Sequence, residues 1–484
     1  LQSRRHALQT IAGAAAAAPA ILRGARRAGD RPNLLFIWTD QQRADTMAAY
    51  GNTRFHVPSM NRLAAESVVF ERAYVTQPVC TPSRSSVMTG LWPHQNGCIR
   101  NNIALRADTR TVPALLGSAG YRTAYMGKWH LGDEIFPQHG FAEWKAIEDG
   151  IYQNHYSAGR DKSARSAYHH FLVSQGYEPD DEKNKSFSRK FATTLPVEQS
   201  KPSFLATEAS RFMLEHRADP WLLYVNFLEP HSPYASVLND LHSEEDAPLL
   251  NYPGIPSTPE PEWYKRRRAQ LNRTDRAGFQ RTARNSAGLC SLVDQALGRI
   301  LWTLEATGQA ANTVVVYTSD HGDMMGSHSM LAKQVMYEES IRVPHLLRVP
   351  FRNQKPMRVP HPVSHIDIVP TVLDLLGAKS DGLPGRSLVP ALEGRRPPED
   401  VFLEWNEDSS DSGKGPSGRT CITPDGNKLA VYDTDQSLLF DRSRDPQEMN
   451  NLYGTRAAAA VQSRLRKKID EWQKRTGDRL ALPS

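Results

Sequence analysis

Four short apolar runs, far apart in the chain and each ending on chemically pointed residues, constrain this sequence more than any other feature. They are Asn33 to Thr39, Arg122 to Met126, Trp221 to Phe227 and Thr313 to Ser319. Each is rich in branched and aromatic side chains, and the stretches between them carry helical periodicity. That alternation predicts an α/β fold, with a large, mostly parallel sheet flanked by helices. The runs end at Asp40-Gln41, Gly127-Lys128-Trp129-His130, Glu229-Pro230-His231 and Asp320-His321-Gly322-Asp323. The C-terminal ends of parallel strands share one edge, where ligands bind. A single polar strand ending is ordinary, whereas four of this kind predict one site that gathers carboxylates, histidines and a lysine.

Between Tyr152 and Lys201, and again between Ser243 and Ala277, the chain turns polar. These stretches read as surface insertions near the same edge, suited to selecting a substrate. The run Lys265-Arg266-Arg267-Arg268 inside the second reads equally well as a solvated face. A boundary is expected at Gly394 to Pro398, giving a catalytic domain over 30–395 and a smaller one over 396–484. After a turn-rich stretch from Asp408 to Gly418, the smaller part offers short strands at Lys428 to Tyr432 and Ser437 to Phe440. Val461, Leu465, Ile469 and Trp472 then recur at helical spacing, which predicts an antiparallel sheet closed by one amphipathic helix.

The chain of 484 residues carries a formal charge of +6, but five arginines and no acids lie in residues 1–29, so the remainder carries only +1. A nucleic-acid partner thereby loses its main support. No apolar run after residue 30 approaches the roughly 20 residues needed to cross a bilayer, so a helical membrane anchor is not expected. The first 29 residues combine Arg4-Arg5, a weakly apolar stretch from Ile11 to Ala18 and the small-residue pattern Ala18-Pro19-Ala20. They resemble a twin-arginine export signal, which predicts a periplasmic or secreted protein. Four cysteines, Cys80, Cys98, Cys290 and Cys421, are few for a disulfide scaffold.

Cys80 stands at the head of Cys80-Thr81-Pro82-Ser83-Arg84-Ser85-Ser86-Val87-Met88-Thr89-Gly90. Pro82 suits the opening turn of a helix, and free backbone donors there favour an anion. Local chemistry leaves Cys80 open as a thiolate nucleophile, a redox thiol, half of a disulfide or a structural cysteine. Ser83 lacks the nucleophile-elbow context of a serine hydrolase.

The run Cys80 to Arg84 resembles the C-x-P-S-R signature of formylglycine-dependent sulfatases, in the alkaline phosphatase-like superfamily. The likeness extends through Pro32 to Asp40, Val57 to Ala64, Gly127 to Gly132, Ser319 to Gly326, Glu338 to Pro344 and Asp445 to Leu452. It implies a sulfuric ester hydrolase whose Cys80 is converted to formylglycine by a formylglycine-generating enzyme. It also implies one divalent metal on Asp40, Gln41, Asp320 and His321, calcium ahead of manganese or magnesium. Gln41 and His321 depart from relatives that carry Asp and Asn there, which leaves the metal's identity open. The resemblance further implies catalytic roles for Cys80, Arg84, Lys128, His130, His231 and Lys333. Lysines would neutralise the sulfate, Arg84 would hold the nucleophile, and His231 or Lys333 would protonate the leaving oxygen. His130 would take a proton from residue 80 as sulfate leaves. His328 reads as a structural residue or a further member of the site. The substrate would be a sulfated carbohydrate or a small sulfate ester. A phosphodiesterase or phosphonate monoester hydrolase of the same superfamily is the rival enzyme, and a non-catalytic sulfated-glycan-binding protein the rival from another class.

Overall fold

The computed structural model describes residues 31–483 apart from 118–119, 150–158, 246–253, 272–274, 353–354, 396 and 407–414. The export signal expected over residues 1–29 lies outside the described residues, as does most of the turn-rich stretch from Asp408.

The four apolar runs become strands β1 (Asn33–Asp40), β3 (Arg122–Gly127), β5 (Trp221–Pro230) and β6 (Thr313–Ser319). With β4 (Glu143–Lys145) they pair in parallel in the order β4-β3-β5-β1-β6. The sheet continues through β8 (His345–Arg348), β2 (Val68–Tyr74) and β7 (Arg342–Val343), all antiparallel pairings, while β9 (Met357–Ser364) adds a parallel edge to β2. The expected large, mostly parallel sheet is therefore present, with an antiparallel flank beside it.

Both faces of the sheet are covered, which is why β1 reads as an unbroken apolar run rather than an alternating one. Leu35 and Ile37 pack towards the helices Lys201–Glu215 and Arg276–Ala306, together with Phe212, Val293 and Leu297. Leu34, Phe36 and Trp38 face the other way, onto Val87 and Met88 of the helix Cys80–Thr89 and onto Ile368–Leu375. Helices on either side thus hold the strand ends at a fixed, dry edge.

The C-terminal part forms a second, antiparallel sheet from β10 (Val401–Trp405), β11 (Gly418–Ile422), β12 (Asn427–Tyr432) and β13 (Leu438–Asp441). Leu465, Ile469 and Trp472 of the helix Ala459–Thr476 close one face of it, with Val461 partly buried beside them. The other face packs Trp405 and Tyr432 against Tyr74, Tyr337, Trp263 and Tyr264 of the larger part. All four cysteines are free and buried.

Candidate active site

Cys80 opens the helix Cys80–Thr89, whose ten residues are all buried. Thr81 N donates to Asn101 Oδ1 at 3.0 Å and Ser83 N to Val79 O at 3.2 Å. These first-turn amides are already engaged, so positive charge near residue 80 comes chiefly from side chains. Ser83 Oγ donates to Asp320 O at 2.5 Å, a buried tie between the helix and the end of β6. That bond gives Ser83 a structural task.

The parallel strands deliver their ends as the sequence predicts. Lys128, after β3, puts Nζ 2.5 Å from Asp40 Oδ2 and 3.8 Å from Cys80 Sγ. Lys333 Nζ approaches from another side, 3.2 Å from Cys80 Sγ and 2.8 Å from Gln41 Oε1. Arg84 grips both metal-candidate carboxylates: Nη2 donates to Asp40 Oδ2 at 3.0 Å and Nε to Asp320 Oδ2 at 2.8 Å. Its Nη1 donates to Lys128 O at 2.9 Å and Asn226 Oδ1 at 3.0 Å, and its guanidinium lies 4.9 Å from the Trp38 ring centre. Arg84 was expected on the nucleophile, and these contacts place it on the carboxylates beside it.

The donor set suits a divalent cation. One ligand atom from each of Asp40, Cys80, Asp320 and His321 lies within 4.8 Å of the others, all four residues being buried. His321 Nδ1 faces Gly322 O at 3.0 Å, and a carbonyl can only accept, so the proton sits on Nδ1. Nε2 then faces the centre, 3.5 Å from Asp320 Oδ1 and 3.6 Å from Asp40 Oδ1. Those spacings are long for hydrogen bonds but right for donors flanking a cation. Gln41 Nε2 donates to Asp323 Oδ2 at 2.5 Å and Tyr234 Oη at 2.8 Å, which turns Oε1 towards the site. Two carboxylates, an amide oxygen and one imidazole form a set for a hard or borderline ion.

The electrostatics follow from this packing. Burial alone would raise the Asp40 carboxyl, but Lys128, His231, Arg84 and Lys333 hold it well below the usual carboxylate range. Burial and Asp40 push the Cys80 thiol up, yet Lys128, Lys333 and His321 outweigh them and bring it to about 7. His130 and His231 are held well below the ordinary imidazole range, His130 by burial, Lys128 and Arg84, and His231 by burial and Lys333. Both are therefore neutral at pH 7. His130 Nε2 faces Asn102 Oδ1 at 2.8 Å, and its main-chain oxygen accepts from Thr81 Oγ1 at 2.9 Å. His231 Nδ1 faces Ser232 O at 2.8 Å, which leaves Nε2 as an acceptor.

The sequence model of the Sulfatase family matches residues 32–378, most of the chain and every residue of this constellation. The chain belongs to the sulfatase family. A second match, to the C-terminal part of N-sulphoglucosamine sulphohydrolase, spans residues 326–475. Within the alkaline phosphatase-like superfamily this sulfatase is a sulfuric ester hydrolase. It is 29% identical to an N-acetylglucosamine-6-O-sulfatase of Bacteroides thetaiotaomicron, covering 93% of this chain and 87% of that protein. It is 31% identical to the uncharacterized sulfatase YidJ of Escherichia coli, covering 90% and 86%. The solved phosphonate monoester hydrolase of Silicibacter pomeroyi shares the fold, with a TM-score of 0.78 at 23% identity over 92% of this chain and 96% of that one.

The sulfatase's predicted site residues Asp40, Gln41, Cys80, Arg84, Lys128, Asp320, His321 and Lys333 form one buried network. His130 and His231 flank it. His328 lies apart, its ring stacked 3.8 Å from that of Tyr337, and is structural. Sequence reasoning missed Asn226, Asn102 and Tyr234. Asn226 alone could have been found, as the one amide inside the apolar run Trp221 to Phe227. Asp323, which the sequence shows only as part of a strand ending, anchors Gln41.

Proposed function

We propose that this sulfatase hydrolyses sulfate esters of a carbohydrate through a formylglycine hydrate at residue 80, beside one divalent cation. The observation that carries the reading is the position of residue 80: at a helix start, between two lysines, with its side chain against the Asp40, Asp320 and His321 donors. Asp40, Gln41, Asp320 and His321 would hold the cation, calcium ahead of manganese or magnesium. Its chemistry there is to polarise a sulfate oxygen and lower the pKa of a hydroxyl at residue 80. The aldehyde hydrate supplies two hydroxyls: one attacks sulfur as the S–O bond to the alcohol breaks, and the other releases sulfate as the C=O bond reforms.

The chain's own side chains do the rest. Lys128 and Lys333 offset the ester's negative charge on either side of residue 80. Lys333, a cation beside the reacting atom, is the proton donor to the leaving oxygen. His231 is assigned to accepting a hydrogen bond, because it is neutral and its proton sits on Nδ1. His130, also neutral, takes the proton from the second hydroxyl. Asn102 orients its ring, and Arg84 keeps Asp40 and Asp320 in place.

A sulfated saccharide is the proposed substrate because one relative bears the name N-acetylglucosamine-6-O-sulfatase. The first polar insertion supports this, since Arg189, Thr193 and Lys201 line a small cleft beside His231 and Glu229. The proposal includes export by the twin-arginine route, supported by Arg4-Arg5 and Ala18-Pro19-Ala20, and maturation by a formylglycine-generating enzyme. N-terminal sequencing of the exported protein would find a start after residue 20; a cytoplasmic protein that retains Arg4-Arg5 would refute that part.

Turnover of a 6-O-sulfated glucosamine, an aryl sulfate and an aryl phosphate diester tests the function. The sulfated sugar should be hydrolysed fastest, and Cys80→Ala should abolish all three activities without unfolding the protein. A faster phosphate diester would favour the rival hydrolase.

A further inference from the structure

Lys333 reaches residue 80 from a loop, residues 323–336, that has almost no regular structure of its own. Five of its non-glycine residues, Met325, His328, Ser329, Ala332 and Gln334, have φ between +44° and +79°. Side chains persist in that conformation only where the surroundings over-determine it.

Here the surroundings are one face of the helix Glu262–Leu271. Trp263 Nε1 donates to Gln334 O at 3.1 Å, and Met336 N donates to Tyr264 Oη at 2.6 Å. Arg267 Nη2 donates to Lys333 O at 3.1 Å and Arg268 Nε to His328 O at 2.9 Å. These four side chains are buried, whereas Glu262, Lys265, Arg266, Ala269 and Gln270 are exposed. The basic run is thus only half a solvated face, and its other half holds a catalytic loop.

The helix is itself fixed. Arg268 makes a bidentate pair with Glu260 at 2.6 and 2.8 Å. The helix start is capped by Asp435 of the second sheet, which accepts from Glu262 N and Trp263 N at 2.8 and 2.9 Å. Tyr264 Oη lies 2.8 Å from Tyr432 Oη of β12.

We propose that this helix is a brace that sets the position of Lys333, with Arg267 and Arg268 as its positioning residues. The inference rests on the role given to Lys333 above. Neither arginine touches the reacting atoms; each acts on the main chain that carries Lys333.

A double-mutant cycle tests the brace on the full-length, matured enzyme. Arg267→Met keeps the apolar stem and removes the donors. It should lower kcat about 10-fold to 100-fold, the scale of a misplaced catalytic group, with KM changed less than kcat. Lys333→Ala should lower kcat at least as far, and adding Arg267→Met to it should cost less than about twofold more. Equal, multiplying losses in both backgrounds would overturn the brace, because they would mean a general structural role. Wild-type kcat in Arg267→Met, in an enzyme that does depend on Lys333, would overturn the brace alone. Wild-type kcat in Lys333→Ala would overturn both it and the role assigned to Lys333. If Arg267→Met does not fold, the same cycle is run with Trp263→Phe, which keeps the ring and removes the donor to Gln334 O.

Discussion

His321 donates through Nδ1 to Gly322 O and so turns Nε2 onto Asp40 and Asp320. Asp320 and Cys80 raise the imidazole's pKa against its burial, so a bound cation would take the place of a proton on that nitrogen. Removing His321 should therefore weaken metal binding directly. His321→Ala is expected to lower cation affinity by more than the roughly 10–100-fold that losing an outer partner of a metal ligand costs, read by calorimetric titration of the chelated protein. Unchanged affinity would remove His321 from the ligand set. His130 gives a second test at this scale. Burial, Lys128 and Arg84 push it well below its ordinary 6.5, so its base form persists as pH falls through that value. The pH profile of kcat should accordingly show no acid limb centred near 6.5; such a limb, abolished in His130→Ala, would contradict the assignment. Asp40, Gln41, Lys128, His130, His231, Asp320 and His321 were legible because they end or follow strands that share one sheet edge, whereas Cys80, Arg84 and Lys333 were legible only through the resemblance of their motifs. Tyr234 and Asn102 sit in loops and matter only through the partners that folding brings to them, Gln41 and His130.

Strand β3 ends where it does because of Gly127, whose φ is +113° and whose added Cβ would meet Asn226 O at 1.9 Å. Only glycine lets β3 and β5 approach this closely, and Asn226 on β5 is one of the partners that hold Arg84. Gly127→Ala should cost about 3 kcal/mol or more of stability and lower kcat, measured by denaturant unfolding and turnover. A variant of unchanged stability would show that the two strands can part without consequence. The central parallel strands were legible as apolar runs because helices cover both their faces. The antiparallel flank was not. Strand β7 has two residues, β2 is interrupted by Glu71 and Arg72, and β9 carries Pro360 and Pro362, which normally argue against a strand. Those prolines are tolerated because β9 pairs with β2 alone, at an edge. The helix Glu262–Leu271 was hidden for a different reason: its arginines look solvent-bound until Trp263 and Tyr264 are seen on the same face.

At the scale of the molecule, the second sheet is held to the first by apolar contacts and by buried charge. Glu404 N of β10 donates to Thr76 O, just before the Cys80 helix, at 2.8 Å, and Arg442 Nη2 lies 3.0 Å from Glu338 Oε2. Burial favours neutral forms in this interior, while ion pairs keep other buried groups charged, and the two together set the pH response. Burial holds His328 at about 3 and His345 at about 4, with His130, His231 and His365 well below 6.5. As pH falls through 6.5 the unfolded chain protonates these histidines and the folded chain does not, so stability drops. Burial raises Glu134, Glu229 and Glu448 to about 7, and these favour the folded form as pH falls below 7. His139 and His169 act with the lowered histidines, while Glu339, Asp294, His94 and His321 are raised and act with the three glutamates, so the two sets oppose each other above 4.5. Below 4.5 Glu338, lowered to about 2 by Arg442 and Lys428 against its burial, and Asp40, held low by Lys128, His231, Arg84 and Lys333, add a loss. The melting temperature should therefore fall on acidification below pH 4.5 by calorimetry; a rise there would contradict this balance. The central claim is narrower and chemical, that residue 80 works as an aldehyde rather than a thiol. It is tested by mass spectrometry of the peptide containing residue 80, from enzyme purified from its native host and titrated for active sites. The fraction of chains in which residue 80 has lost its sulfur and gained an aldehyde oxygen should equal the active fraction. Full activity from chains that all retain the Cys80 thiol would contradict it.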